Sequence, residues 1–405
     1  MNSNNFYQNS NNNNNLSLSN INQNNCFSIM NNNYISQQNY NKIYYIKKPI
    51  YPHKTGLLNI GQTCYMNASI QCISNIEKLS NFLLSRFGTF NINTQQLTFS
   101  FTNLLFELFY PNKKYISPNI FKSVIGELNP LFEGNQASDA KDLVFFIIER
   151  LHQELKPPVN IINSNYQIDF AQQEIESQNE NLTLQKFLID FALKNTSIVS
   201  DTFYGITRST MKCYGCNIVK YSYQTFNLLN FVLKKVKDDK IAKIGEYYDG
   251  IDLYDAFDSD KKEEILKDEN MIYCNICKGL KNGSHQQSIY GLPSVLIIIL
   301  NRGKNNEDFN EEFKFYETLD FTGSNYIINQ NSYHKYYLCG IITHLGESGT
   351  GGHFIAYCRN NVNDNFFCYN DASISEVKIK DAMSTKISQK DCEKKTPYVL
   401  FYNHY

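Results

Sequence analysis

Two Cys-x-x-Cys pairs, Cys213-Tyr214-Gly215-Cys216 and Cys274-Asn275-Ile276-Cys277, stand 58 positions apart and constrain this chain more than any other feature. Four thiolates in this pattern suit tetrahedral zinc, and with no fifth polar ligand nearby the site reads as closed and structural. The separation is too long for a compact zinc ribbon. The chain must run out and back as a thin two-strand excursion, and metal binding would supply the folding free energy that its small core cannot. A nucleic-acid-binding finger would follow a knuckle with a basic helix, and neither knuckle has one. Charge agrees, because 38 Lys and Arg against 39 Asp and Glu leave no excess for nucleic acid or an anionic membrane. The longest strongly apolar run, Val295 to Leu300, is six residues, far short of the roughly 20 a membrane helix needs. The amino terminus has neither the basic start nor the apolar stretch of a signal peptide. Eleven cysteines spread over 405 residues therefore read as ligands, nucleophiles or core fillers in a reducing compartment, with cytoplasmic or nuclear localisation expected.

Residues 1–50 are expected to form a disordered tail, since the first 41 hold 18 Asn and no charge and bury too little apolar surface to offset chain entropy. The folded region is expected over 51–405. Its first half reads helical: Met66, Ile70, Ile73 and Ile76 share one helix face, and Leu143, Phe146, Ile147 and Leu151 repeat the pattern. A polar interval over 157–181 reads as a surface insertion. From Asp201 onward the pattern turns to strands, with Val295 to Leu300 suited to burial on both faces. The charged stretch 234–270 reads as loop and exposed helix. Helices first and strands later imply an α+β architecture.

Gly56-Leu57-Leu58-Asn59-Ile60-Gly61-Gln62-Thr63-Cys64-Tyr65-Met66-Asn67 sets Cys64 where a glycine-containing loop becomes a helix. Unpaired amides at a helix start stabilise an anion and so favour a reactive thiolate. Gly56 and Gly61 would let the loop approach a substrate closely, and Asn59 can return to the same locus to donate its amide to a developing oxyanion. Near the other end, a glycine-rich loop precedes His353 at the start of a strand. An imidazole there is the natural partner of a thiol. Asn370 or Asp371 can accept the second ring N–H of His353 and hold its tautomer.

Together these stretches resemble the ubiquitin-specific proteases, over Gly56 to Tyr402. The Cys box is intact at 56–67, and the His box matches at Gly351-Gly352-His353-Phe354-Ile355-Ala356-Tyr357 with Asn370-Asp371 following. Gln136-Ala137-Ser138-Asp139-Ala140-Lys141-Asp142-Leu143 is similar to the family's Gln-x-x-Asp-Ala-x-Glu-Phe segment. The resemblance implies a papain-like cysteine protease fold: a thumb over about 56–200, zinc-bearing fingers over about 201–290 and a palm over about 291–405. It implies hydrolysis after ubiquitin's terminal glycine, with Cys64 as nucleophile, His353 as base, Asn370 as orienter, Asn59 as oxyanion donor and Asp371 in support. Ubiquitin and ubiquitinated proteins become the expected partners, and zinc at Cys213, Cys216, Cys274 and Cys277 the one expected cofactor, with none in catalysis. Asp139 would meet the arginine of the Leu-Arg-Gly-Gly tail. His344, Gly351 and Gly352 would contact the substrate, and glycines 346, 349, 351 and 352 would form a loop closing over the diglycine. Gln62 departs from the family's usual Asn, Asn301-Arg302-Gly303 from Lys-Arg-Phe, and Phe366 from Trp. The alternatives are an inactive ubiquitin-binding scaffold and a protease for another ubiquitin-like modifier. A papain-type lysosomal protease fits neither the amino terminus nor the knuckles.

Overall fold

Helix α1 (Cys64–Ser74) has no solvent face: all eleven of its residues are buried. Met66, Ile70 and Ile73 supply the apolar contacts, and the Asn67, Ser69, Gln71 and Ser74 side chains each find a bond. Ser69 donates to the Tyr65 carbonyl at 2.8 Å, Gln71 to the Thr55 carbonyl at 3.1 Å, and Ser74 meets His53 Nε2 at 2.9 Å. Around α1 gather α2 (Glu77–Ser85), α3 (Gln96–Phe109), α4 (Asn119–Leu128) and α5 (Ala140–Leu155), while α6 (Glu180–Lys194) packs outward, with Phe187 6.1 Å from the Tyr223 ring. Helix α5 buries Leu143, Val144, Ile147, Ile148 and Leu151 on one stripe. Its Glu154 reaches across to cap α3, accepting from Leu97 N at 3.2 Å and Thr98 N at 2.8 Å, where α3 has no capping side chain of its own. This helical lobe is the thumb.

The computed structural model describes residues 49–110, 113–157, 177–245, 248–303, 309–346, 351–385 and 394–405, all within the unit Asn41–Tyr405. The Asn-rich tail, except its last two residues, lies outside the described residues, as does most of the polar interval 157–181. Strands β1 (Gly205–Cys213) and β2 (Val219–Phe226) open the second half, followed by β3 (Leu229–Val232), α7 (Leu233–Ile244) and α8 (Leu253–Asp260). Next come β4 (Glu264–Leu266), β5 (Ile272–Cys274), β6 (Gly279–Lys281), β7 (Gly283–Gly291) and β8 (Val295–Asn301). The chain finishes through β9 (Thr318–Asp320), β10 (Lys335–Leu345), β11 (His353–Arg359), β12 (Phe366–Asn370), β13 (Ser373–Val377) and β14 (Lys395–His404).

Eight strands build the palm sheet in the order β13-β12-β11-β10-β14-β8-β3, with β9 on β10. Its two faces bury two cores. Along β8, Val295, Ile297 and Ile299 pack toward the helical lobe, while Leu296, Ile298 and Leu300 pack on the far side. An unbroken apolar run is what a strand covered on both faces requires. Arg302 just beyond it is buried, and its guanidinium donates to the Pro397 and Phe309 carbonyls, each at 3.0 Å. Burial lowers its pKa to about 10, so it keeps its charge.

A separate four-stranded sheet, β2-β1-β7-β4, forms the fingers, with the β5–β6 hairpin at its tip. Here one expected boundary moves. Residues 229–260 leave the fingers and return to the palm: β3 pairs in parallel with β8, and the helices after it bury Leu233, Val236, Leu253, Ala256 and Phe257 against the far face. The many Lys and Asp of this stretch conceal a narrow apolar stripe, which is enough to anchor a half-exposed helix.

Candidate active site

Asn59 organises the loop before α1. Its Oδ1 accepts from Gly61 N at 3.3 Å, Thr63 N at 3.1 Å and Thr63 Oγ1 at 3.3 Å, which fixes the amide so that Nδ2 points away from the loop. That Nδ2 donates to Asp371 Oδ2 at 3.0 Å. Cys64 follows as the first residue of α1, 9% exposed. As a first-turn amide, its backbone N–H has no intrahelical acceptor. Gln62 sits at φ 50° and accepts from Ala137 N at 3.1 Å, tying the loop to the segment before α5.

His353 opens β11, opposite Leu345 of β10. Its Nε2 donates to Asn370 Oδ1 at 2.7 Å, leaving Nδ1 for the thiol. Asp371 Oδ2 lies 3.9 Å from the same Nε2. The imidazole pKa rises to about 9, chiefly through its hydrogen bond with Cys64. Burial opposes the rise, while the bond to Asn370 and the negative charges of Cys64 and Asp371 add to it. The ring is thus set up to take and hold a proton in this site. The structure thus gathers Cys64, His353, Asn370, Asp371 and Asn59 into one locus.

Asn370 pairs with Ser373, so Asp371 and Ala372 form a two-residue hairpin turn with Asp371 at φ 50°. Asp tolerates that left-handed conformation better than most residues. The backbone of this turn lies directly on Gly56, where a Cβ would fall 2.5 Å from the Ala372 carbonyl oxygen. Gly56 is therefore required by the turn that carries Asp371 and not by a substrate. One residue without an expected role completes the clamp. Asn67, 2% exposed, donates Nδ2 to Asp371 Oδ1 at 2.7 Å and to the Leu58 carbonyl at 3.2 Å. The only signal in the chain was an amide on a helix flanked by apolar residues, where a buried polar group must have a partner.

The expected substrate contacts fare differently. His344 is only 5% exposed, its ring held edge-on between Phe309 at 5.1 Å and Phe354 at 4.9 Å. Burial lowers its pKa to about 4 and keeps it neutral. It thus supports the glycine loop from behind, where it was expected to meet substrate. Gly352 has φ 133°, and a Cβ there would fall 2.4 Å from His344 Cε1. Gly346 and Gly351 flank it, and Gly349 lies outside the described residues. Asp139 caps α5, and Lys141 and Tyr398 also bond its carboxylate.

At the fingertip, the sulfurs of Cys213, Cys216, Cys274 and Cys277 all lie within 4.8 Å of one another. Cys213 and Cys277 are 4.0 Å apart, Cys216 and Cys274 3.7 Å. A tetrahedron with bonds of about 2.3 Å has edges of about 3.8 Å, so the donor set fits zinc in both element and size. Gly215 leaves room for this cage, since a Cβ there would lie 3.1 Å from the Cys277 sulfur.

Known proteins agree with this architecture. The chain is 26% identical over 358 residues to ubiquitin carboxyl-terminal hydrolase Usp2 of Drosophila melanogaster, covering 86% of this chain and 34% of that one. It is 29% identical over 388 residues to ubiquitin carboxyl-terminal hydrolase 4 of Saccharomyces cerevisiae, covering 86% and 39%. Against ubiquitin carboxyl-terminal hydrolase 21 of Homo sapiens it is 26% identical, covering 86% and 61%. The chain thus spans between about a third and three-fifths of these relatives. Among solved structures, the SAGA DUB module with Ubp8 bound to monoubiquitin shares the fold, with a TM-score of 0.61 at 22% identity over 87% of this chain and 69% of that one. The family described as ubiquitin carboxyl-terminal hydrolase matches residues 55–402. By that match, the chain belongs to the ubiquitin carboxyl-terminal hydrolase family.

Proposed function

We propose that the protein is a thiol-dependent deubiquitinase that hydrolyses the peptide or isopeptide bond after the terminal glycine of ubiquitin. The observation that carries this reading is the pairing of Cys64 with His353, whose Nε2 is held by Asn370 at 2.7 Å. His353 takes the proton of the Cys64 thiol. The thiolate attacks the glycine carbonyl carbon, and the oxyanion that forms takes the Cys64 backbone N–H and the second N–H of Asn59 Nδ2. His353 then protonates the departing lysine amine, leaving a thioester. In the second half, His353 removes a proton from water, which attacks the thioester and releases the ubiquitin carboxylate and the thiol. Asp371 acts as a positioning residue, gripping Asn59 and Asn67 while its charge favours the imidazolium. We also infer that the four fingertip thiolates hold one structural zinc.

A panel of carboxyl-terminal reporters tests the substrate class. Wild-type protein should hydrolyse the ubiquitin reporter at least about 100-fold better, by kcat/KM, than reporters made from other ubiquitin-like modifiers. That ratio corresponds to about 2.7 kcal/mol of transition-state discrimination. Equal rates, or no turnover with any of them, would remove this reading in favour of the modifier or scaffold alternative.

The imidazole shift also predicts a pH profile. His353 must hold a proton to release the amine, so kcat/KM should fall on the alkaline side with a midpoint near pH 9. Asn370→Ala removes one cause of the upward shift and should move that limb to lower pH. The folded pKa stands above the ordinary 6.5, so the stability this pair contributes is complete below pH 6.5 and lost as pH rises through about 9. An alkaline limb that Asn370→Ala leaves in place would contradict the assignment.

A further inference from the structure

The carboxylate of Asp139 is already occupied by groups of its own fold. Oδ1 accepts the Lys141 backbone N–H at 3.0 Å as the cap of α5. Oδ2 accepts the Tyr398 hydroxyl at 2.7 Å and also the Lys141 ammonium, whose Nζ lies 3.1 Å from the same hydroxyl oxygen. An ionised carboxylate offers about four lone-pair sites, so three are in use. A guanidinium binds most strongly through two parallel N–H···O bonds, one to each oxygen. Such a partner arriving here finds one site on Oδ1 and none on Oδ2.

The arrangement is open to exchange. The Asp139 and Lys141 side chains are 27% and 23% exposed, and the lysine ammonium rides on a flexible four-carbon stem. Tyr398 is the fixed partner, its ring packed 5.3 Å from that of Phe354, the residue after His353. The carboxylate therefore sits one ring contact from the strand that His353 opens, with one removable occupant and one permanent one.

Resting on the reading of Asp139 as the contact for the tail arginine, we propose that Lys141 is a specificity-determining residue that occupies Asp139 Oδ2 in the free protein. Its ammonium confines an incoming guanidinium to a single-point contact and so weakens the grip on a cationic tail. The chemical step is untouched, because Lys141 lies outside the reacting groups. Removing the ammonium while keeping the helix cap opens the second oxygen.

Steady-state hydrolysis of a ubiquitin carboxyl-terminal coumarin reporter by full-length wild type, Lys141→Gln and Lys156→Gln tests this. Lys156 caps the far end of the same helix and controls for net charge. Lys141→Gln should lower KM about three-fold with kcat unchanged, the size of a partly exposed ion pair. Lys156→Gln should leave both constants alone, and a reporter with the tail arginine replaced by alanine should erase the gain. An unchanged or raised KM for Lys141→Gln overturns the proposal, as does an equal gain from Lys156→Gln or with the neutral tail. Wild-type protein that neither turns over the reporter nor binds ubiquitin would overturn the deubiquitinase reading and this proposal with it, a result distinct from turnover with an unaltered KM.

Discussion

Replacing Cys64 with alanine is expected to lower hydrolysis of a ubiquitin carboxyl-terminal reporter by at least about 10,000-fold while ubiquitin binding survives. The expectation follows from where the sulfur sits. Its side chain is 9% exposed at the first position of α1, and α1 is packed on all sides by residues the substitution leaves in place. Losing one sulfur atom there removes the nucleophile without opening the core. A second readout distinguishes loss of chemistry from loss of structure. The bond to Cys64 is the largest cause of the raised His353 pKa, and burial pulls the other way. In the alanine variant the ring should therefore titrate well below 9, which NMR of the imidazole would report. Turnover near the wild-type rate would remove Cys64 from its role, and an unmoved His353 titration would remove the pairing.

Much of this site is legible in the chain because its parts are local. A thiol at a loop-to-helix junction, a histidine behind glycines and an Asn-Asp pair at a strand end are each short patterns, and their roles follow from side-chain chemistry. The palm strand at 295–301 is equally plain, since an unbroken apolar run has few other places to go. What stays hidden depends on pairings between distant segments. Gly56 looks like a glycine for a substrate, yet it is the Asp371–Ala372 turn, more than 300 positions away, that needs its bare Cα. Asn67 reads as one more helix residue until Asp371 comes to rest against it. His344 looks like a cleft histidine, but Phe309 and Phe354 enclose it. The return of 229–260 to the palm is concealed for a different reason: composition averages over a helix, whereas burial acts on one stripe of it. Lys141 belongs with the distant pairings, because its significance lies in the lone pairs of a neighbour that Tyr398 already shares.

Metal removal should separate the fingertip from the rest of the protein. The β5–β6 hairpin has strands of three residues each, and its cross-strand pair Tyr273 and Leu280 is 64% and 58% exposed, so nothing apolar covers that face and Ile272 on the other is its main apolar hold. A two-stranded hairpin of this kind is marginal in water on its own. Binding zinc to four thiolates is worth on the order of 10 kcal/mol in small zinc domains, ample to order such a hairpin. About one zinc per chain is therefore expected in freshly purified, unchelated protein. Stripping it with a chelator, or Cys274→Ser, should accelerate amide exchange over 213–218 and 272–282, with α1 and β10 through β12 still protected. Because Cys64 and His353 stand on the thumb and palm, kcat on the ubiquitin reporter should change less than KM. Protein that contains no metal, or that loses it with no change in exchange at the knuckles, would show the four thiols to be held by the protein fold alone.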